Sequence, residues 1–543
     1  MPREPSYPPR RREVCINVPA TLFANGRIHT LNPRQPLAEA MLVSEGRILA
    51  VGAGKDLAAH AAPGTARSDL QGASVLPGFT DSHIHTASMA RAMTEVSMSG
   101  CTSLEQALAR LEEVVPAYAP GSWIFGGWWD HNSWAVPVQP GRAVLDTLCP
   151  EHAVALTSAD GHTVWANSLA LERLGIHEDS ADPVGGEYLR DEHGLLTGIL
   201  RESAVFPVRE LAASGLSGDL GAQLLDAQRL LLSHGVSTVH DIDGPDAYRA
   251  YNALRDNGQL NFRVHKLFAV SELEDAIASG ERSYSGDAWI SRGAVKIFSD
   301  GAAGSHTCHM SEPFAGEPGN YGLEVTAFAD LVRQADSAAR AGIAVAIHAI
   351  GDRANQLCLD ALERIAEPTR RLGLRHRIEH AQFLRPQDLA RFAALDAAAS
   401  MQPQHCPSDF PLLGMIAGRK LASYAWASLL ANGARLLLGS DAPVQPPVPL
   451  LGIHAALTRT TAQGLPTGGW QPLERMSLDQ ALHGYCTAPA WASKEEHLKG
   501  SLEPGKLADF VVLDQDPYDV PAQEVQHVQV DATYVDGILR YAR

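Results

Sequence analysis

The chain has 543 residues, 45% of them hydrophobic and 20% charged, ordinary globular proportions that exclude disorder as its main state. Lys and Arg number 44 against 62 Asp and Glu, a net charge of −18, which argues against nucleic acid and against an anionic membrane surface. The seven cysteines include no Cys-x-x-Cys pair, so they read as reduced thiols in a cytoplasmic setting.

Residues 1–17 are rich in Pro and Arg and lack the apolar stretch of a signal peptide, so a flexible tail is expected. No apolar run reaches the length of a membrane span. Residues 18–76 read as short strands between turns. Asn25-Gly26 is a hairpin signal, and a second hairpin is expected across Ser44-Glu45-Gly46. Segments 508–513, 528–535 and 538–541 have the same character. One small β-sandwich domain built from both ends, 18–76 plus 500–543, is therefore expected, with the long middle inserted between them.

The middle, 77–499, alternates short apolar runs with helical stretches, the pattern of an α/β fold with parallel strands. Eight strands are predicted, at 76–83, 235–242, 262–269, 293–300, 342–348, 376–381, 397–402 and 434–441. Eight is the count of a (β/α)8 TIM-like barrel. A helix is predicted at 104–115, where Leu104, Ala107, Leu108, Leu111, Val114 and Val115 share one face. The gap from His83 to His240 is 157 residues, too long for one βα unit, so an insertion subdomain is expected at about 95–225, after the first barrel strand. It holds Trp123, Trp128, Trp129, Trp134 and Trp165, five of the nine tryptophans.

The chemistry concentrates at strand ends. In Asp81-Ser82-His83-Ile84-His85, alternate residues of a strand point the same way, so His83 and His85 can face one metal. Lys296, flanked by apolar residues, is costly to bury unless paired or modified. His348, His380 and Asp441 end three more predicted strands. Strands 1, 4, 5, 6 and 8 thus each end in a metal-competent residue, at the barrel rim where catalytic groups sit. Nitrogen and carboxylate donors in this mixture suit Zn²⁺, among divalent metals.

From about residue 18 to 540 the chain resembles the amidohydrolase superfamily, and within it amidohydrolase family 3, the N-substituted formamide deformylase-like branch. Beyond the metal set, the resemblance rests on Gly161-His162-Thr163-Val164-Trp165-Ala166-Asn167-Ser168, Asp182-Pro183-Val184-Gly185-Gly186, Thr197-Gly198-Ile199-Leu200-Arg201-Glu202, His348-Ala349-Ile350-Gly351-Asp352-Arg353, Gly439-Ser440-Asp441-Ala442-Pro443 and Leu502-Glu503-Pro504-Gly505-Lys506-Leu507-Ala508-Asp509. It implies two divalent ions. His83, His85 and Asp441 would bind the more buried one, and His348 and His380 the other. Lys296, carboxylated by CO2, would bridge both; an unmodified Lys296 paired with Asp300 or Asp441 is the plainer alternative. The implied reaction is hydrolysis of a non-peptide C–N bond in an amide, formamide or cyclic amide, by attack of a metal-bridged hydroxide. Asp441 would be general base, then acid. The implied partner is a small-molecule substrate, and a homodimer is compatible with such a barrel.

Four residues stand as substrate-binding candidates, each beside a structural reading. His162 either reaches the site from the insertion or is a hydrogen-bonded structural histidine. His240 either contacts substrate or is structural. Asp352 is read as an ion pair with Arg353 in preference to substrate contact. Trp128 belongs to a cluster that is either an apolar lid or, as preferred, the insertion's own core. The aromatic content suggests an apolar substituent on the substrate. Two rival functions remain. A deaminase of a small heterocycle would carry Glu three residues after the strand-5 His, where this chain has Gly351. An inactive assembly or regulatory relative would have lost ligands that this chain keeps.

Overall fold

The computed structural model describes residues 20–543 except 213–218 and 417; the expected tail at 1–17 lies outside them. Eight parallel strands form the centre: β1 Phe79–Ile84, β2 Val236–Asp241, β3 Arg263–Ala269, β4 Ile290–Phe298, β5 Val345–Ala349, β6 Arg377–His380, β7 Ala398–Met401 and β8 Arg435–Leu438. Their spatial order follows the chain, and every neighbouring pair is parallel. Strands covered on both faces read as apolar runs, and β5 is buried at all of its positions.

The sheet curls until β8 meets β1. Asp441 N donates to His83 O at 2.7 Å and His85 N to Ala442 O at 2.9 Å. Only glycine permits this approach, because a Cβ at Gly439 would stand 2.6 Å from His83 N. Asp81 fastens the seam, accepting from Ser440 N at 3.0 Å and Ser440 Oγ at 2.5 Å. All eight predicted strands are present, closing as a TIM-like barrel with the metal-competent residues at one rim.

Two further sheets flank the barrel. One has four strands, drawn from residues 20–69; the other has six and joins Arg27–His29 and Ser74–Pro77 to Phe510–Leu513, Val530–Val535 and Ile538–Ala542. Phe23, Met41 and Ile48 from the first pack with Val75, Phe510 and Val512 from the second. The Asn25-Gly26 hairpin is not formed. Asn25 does take the left-handed backbone, φ 58°, but the strands on either side enter different sheets. Gly26 instead packs so closely on Leu70 that a Cβ would stand 2.6 Å from Leu70 Cδ1. The second hairpin holds, with Ala40–Ser44 antiparallel to Arg47–Gly52. Arg263 of β3 ties the barrel to the C-terminal segment, donating to both carboxylate oxygens of Asp509, at 2.6 and 2.8 Å, and to Asp536.

Between β1 and β2 the chain builds a third body, a mixed six-stranded sheet running from Val96–Ser97 to Leu196–Glu202. The predicted helix is there as Leu104–Val114, with Ser103 Oγ capping it by accepting from Gln106 N. Trp129, Trp134 and Trp165 are buried with Leu111, Ile124 and Leu145. The tryptophans thus serve chiefly as the core of this sheet. Among the described residues, six cysteines are free and buried, and no helix is long and apolar enough to cross a membrane.

Candidate metal centre

The rim of the barrel gathers imidazoles that share one design: one ring nitrogen is tied down and the other left open. His83 Nδ1 meets Glu379 Oε2 at 2.5 Å. His85 Nδ1 meets Asp243 Oδ1 at 3.2 Å. His380 Nδ1 meets Gln402 Oε1 at 2.9 Å. His348 Nε2 meets the carbonyl oxygen of Gly301 at 3.1 Å. In every case an acceptor takes the N–H, so the opposite nitrogen keeps its lone pair. That is the way proteins orient metal-binding histidines.

The open nitrogens converge. His83, His380 and Asp441 each offer a donor atom within 4.8 Å of the others. His83 Nε2 lies 3.3 Å, and His85 Nε2 3.4 Å, from Asp441 Oδ1. His348 joins through His380, ring centroids 4.5 Å apart. Burial, reinforced by neighbouring positive groups, holds His348 and His380 well below the usual imidazole range, so both rings are neutral. Burial alone would raise Asp441, but the adjoining imidazoles, His83 foremost, outweigh it and hold the carboxylate well below its usual range. Asp441 and His380 both stand at positive φ, 60° and 71°, a strained geometry that clusters at functional sites.

Lys296 is 2% exposed, and its Nζ has no hydrogen-bond partner. It lies 4.7 Å from the Phe298 ring centroid. Burial pulls it down to about 8, against the opposing influence of Glu379 and Asp441. The expected alternative partner, Asp300, is engaged elsewhere, accepting from the backbone N–H groups of His309, Ile350 and Gly351.

The insertion reaches this rim through His162. Its ring lies 5.2 Å from that of His348, and its Nδ1 is 2.7 Å from Glu202 Oε2. Burial lowers the affinity of His162 for a proton, yet Glu202 outweighs burial and raises it overall. Glu202 also accepts from Thr307, on the loop after β4.

The other substrate candidates fall elsewhere. His240 is fully buried below the rim, accepting at Nδ1 from Arg377 at 3.0 Å. Asp352 is 1% exposed and accepts from Ser311 N and Oγ, while Arg353 donates to Gln356. The expected Asp352–Arg353 pair is therefore replaced by a loop tether. Trp128 sits at positive φ, 61°, half-buried in the irregular end of its strand.

A cavity of about 330 Å³ opens among the insertion and the loops after β4, β7 and β8. The metal-competent residues are not on its wall, but Asp160 is, and Asp160 Oδ1 accepts from His162 N at 3.0 Å, linking the two. Asp130, Asp160, Glu317 and Asp409 line it, against one arginine, Arg201, which is paired with Glu187. The wall is acidic, with Trp129 the one tryptophan on it among the described residues, while Trp134 and Trp165 are buried in the insertion's core.

Several participants were not read from the sequence: Glu379, Asp243, Gln402, Glu202 and His405. His405 alone had a visible signal, since it follows β7 as the other donors follow their strands.

The amidohydrolase family model matches residues 68–541. The chain is 34% identical to Protein LONG AFTER FAR-RED 3 of Arabidopsis thaliana, over 95% of this chain and 90% of that one. It is 30% identical to the N-substituted formamide deformylase of Arthrobacter pascens, over 96% of this chain and 98% of that one. An uncharacterized metal-dependent hydrolase from Pyrococcus horikoshii superposes with a TM-score of 0.75 at 28% identity, covering 93% of this chain and 99% of the other. With a match that spans the barrel, the insertion and the C-terminal strands, the chain belongs to the amidohydrolase family.

Proposed function

We propose that this amidohydrolase uses divalent metal to cleave a non-peptide C–N bond of an amide, formamide or cyclic amide. The observation that carries the reading is the set of four imidazoles, each with one nitrogen tied to an acceptor, three of which, His83, His85 and His380, gather about Asp441. The donor set fits metal. His83 Nε2 and Lys296 Nζ are buried polar atoms with no hydrogen-bond partner, a costly state that a ligand relieves. His83, His85 and Asp441 would hold one ion, and His348 and His380 a second. Lys296, pulled down to about 8 by burial, offers a fraction of neutral amine that can take up CO2, and the resulting carbamate would be a ligand for the ions. When bound, such ions, most suitably Zn²⁺, acidify water and polarise a carbonyl. Asp441 accepts the proton released on attack and returns it to the departing nitrogen.

Gly351 speaks against deamination. A Cβ there would stand 2.0 Å from His309 O, so the position that a deaminase fills with Glu cannot carry a side chain. The acidic cavity supports a neutral or cationic substrate over one bearing a carboxylate. The same reading divides the chain into a composite β-domain, 18–76 plus 500–543, and a catalytic barrel, 77–499, with its insertion at about 95–225. The free buried cysteines support a reducing, cytoplasmic setting.

The deciding experiment joins metal analysis of the purified protein to a hydrolysis panel of formamides, N-acyl amines, lactams and cyclic imides. Hydrolysis of at least one class is expected, lost on chelation and restored by Zn²⁺. Ammonia release from amino-heterocycles, with no amide turned over, would overturn the reading. The tethers can be tested separately. Glu379→Gln is expected to weaken metal binding about 10- to 100-fold, measured by competition with a chelator. Undiminished affinity would remove Glu379 from that role.

A further inference from the structure

His405 follows β7 and opens the short helix His405–Ser408. It is 7% exposed, and its Nε2 is buried with no hydrogen-bond partner. The ring stacks on His380, with centroids 6.0 Å apart and planes 9° from parallel. This fixes the direction of Nε2, which lies 3.8 Å from Asp441 Oδ2, too far for a direct hydrogen bond. The next turn of chain carries Ser408 and Asp409 onto the cavity wall. His405 therefore stands between the acidic cavity and the proton-handling carboxylate.

Burial of the ring disfavours the charged imidazolium, and a neutral imidazole holds one hydrogen. Among the described residues His405 has no second carboxylate on Nδ1, as His83 and His85 have, so the Asp441 carboxylate beside Nε2 favours the tautomer with that hydrogen on Nε2. A neutral N–H is thus held in a dry place, beside the residue at which attack on a carbonyl is managed, with nothing in the protein to receive it. A buried donor left unmade is costly, and such groups call for a missing partner. Donors fixed in advance where charge develops supply a large share of catalysis in acyl transfer.

We propose that His405 is a catalytic residue that donates from Nε2 to the substrate's carbonyl oxygen as negative charge develops on it. The inference rests on the hydrolase reading. It assigns His405 to the substrate and not to the metal. No proton is transferred to or from His405; its hydrogen bond strengthens as the oxygen gains charge and relaxes when the C–N bond has broken.

The test compares His405→Leu with His405→Gln in the full-length, metal-loaded protein, on any amide of the panel that the wild type hydrolyses. Leu removes the donor, while the Gln side-chain amide can place an N–H near the position of Nε2. For His405→Leu, kcat is expected to fall about 10²- to 10³-fold with KM changed less than about threefold. Affinity for a phosphinate analogue of the tetrahedral state should fall in parallel with kcat. His405→Gln should recover a substantial part of both. Metal content and thermal midpoint should match wild type in both variants. Loss of metal from either variant would make His405 a ligand and overturn the proposal. Unchanged kcat and analogue affinity in the Leu variant, or equal losses in Leu and Gln, would also overturn it. If the wild type hydrolyses no amide at all, it is the hydrolase reading that fails.

Discussion

Asp441→Asn is expected to leave a folded, metal-binding protein whose turnover is about 10²- to 10⁴-fold lower, the range for removing a positioned general acid–base. Asparagine is the right probe because residue 441 stands at φ 60°, a left-handed conformation that Asn tolerates better than most residues. The backbone bond from Asp441 N to His83 O that helps close the barrel is untouched. One side-chain oxygen remains to approach His83 and His85, but the negative charge and the capacity to take a proton are gone. Turnover normalised to bound metal, measured with the best substrate of the panel, is the readout. A near wild-type rate at full metal content would sink the assigned role.

Lys296→Met should separate stability from function. The lysine amine is buried without a hydrogen-bond partner, so it lowers stability in the metal-free protein. Methionine has nearly the same length and no polar end, and the metal-free variant should be as stable as wild type or more so. Bound metal should fall, and turnover with it by at least about 10²-fold, as several kcal/mol of charge stabilisation is lost. Reconstitution with Zn²⁺ plus bicarbonate should raise wild-type activity above reconstitution with Zn²⁺ alone, and do nothing for the variant. A pH signature follows as well. Folding lowers the affinity of Lys296 for a proton, from 10.5 to about 8, so between these values the unfolded chain binds more protons. Stability of the metal-free wild type should therefore rise from about pH 8 toward pH 10.5 relative to Lys296→Met. Parallel denaturation curves for the two proteins across that window would refute a buried, depressed lysine. Full metal occupancy in the variant would refute its service as a ligand.

The barrel was legible because of how parallel strands are buried. Each is covered on both faces, so each reads as an apolar run, and a polar residue at its end stands out. That contrast marks His83, Lys296, His348, His380 and Asp441 without any knowledge of their contacts. The tethers were not legible, since Glu379 lies 296 residues from His83 and Asp243 158 residues from His85. Chain closure alone sets such pairs, and no local period announces them. Asn25-Gly26 shows the converse, a local signal whose conformation was right and whose pairing was decided by Leu70 and the two sheets. The preferred reading of the tryptophans, as the insertion's own core, holds for Trp129, Trp134 and Trp165, but their number said nothing of the cavity wall. Composition counts aromatic rings but not the side of a sheet on which they lie, and here most pack inward, leaving the cavity to carboxylates.

The clasp of Arg263 on Asp509 and Asp536 has a consequence for how the protein is made. A ribosome delivers β3 almost 250 residues before the carboxylates that neutralise its first side chain. Strand Ser74–Pro77, which leads directly into β1, likewise waits for Phe510–Leu513 as its antiparallel neighbour. Until those late residues emerge, Arg263 lacks the two carboxylates that neutralise it and Ser74–Pro77 lacks its sheet partner. The last-made segment therefore acts as a latch on the first-made strands. Completion of the base of the barrel is therefore expected to follow synthesis of the last segment.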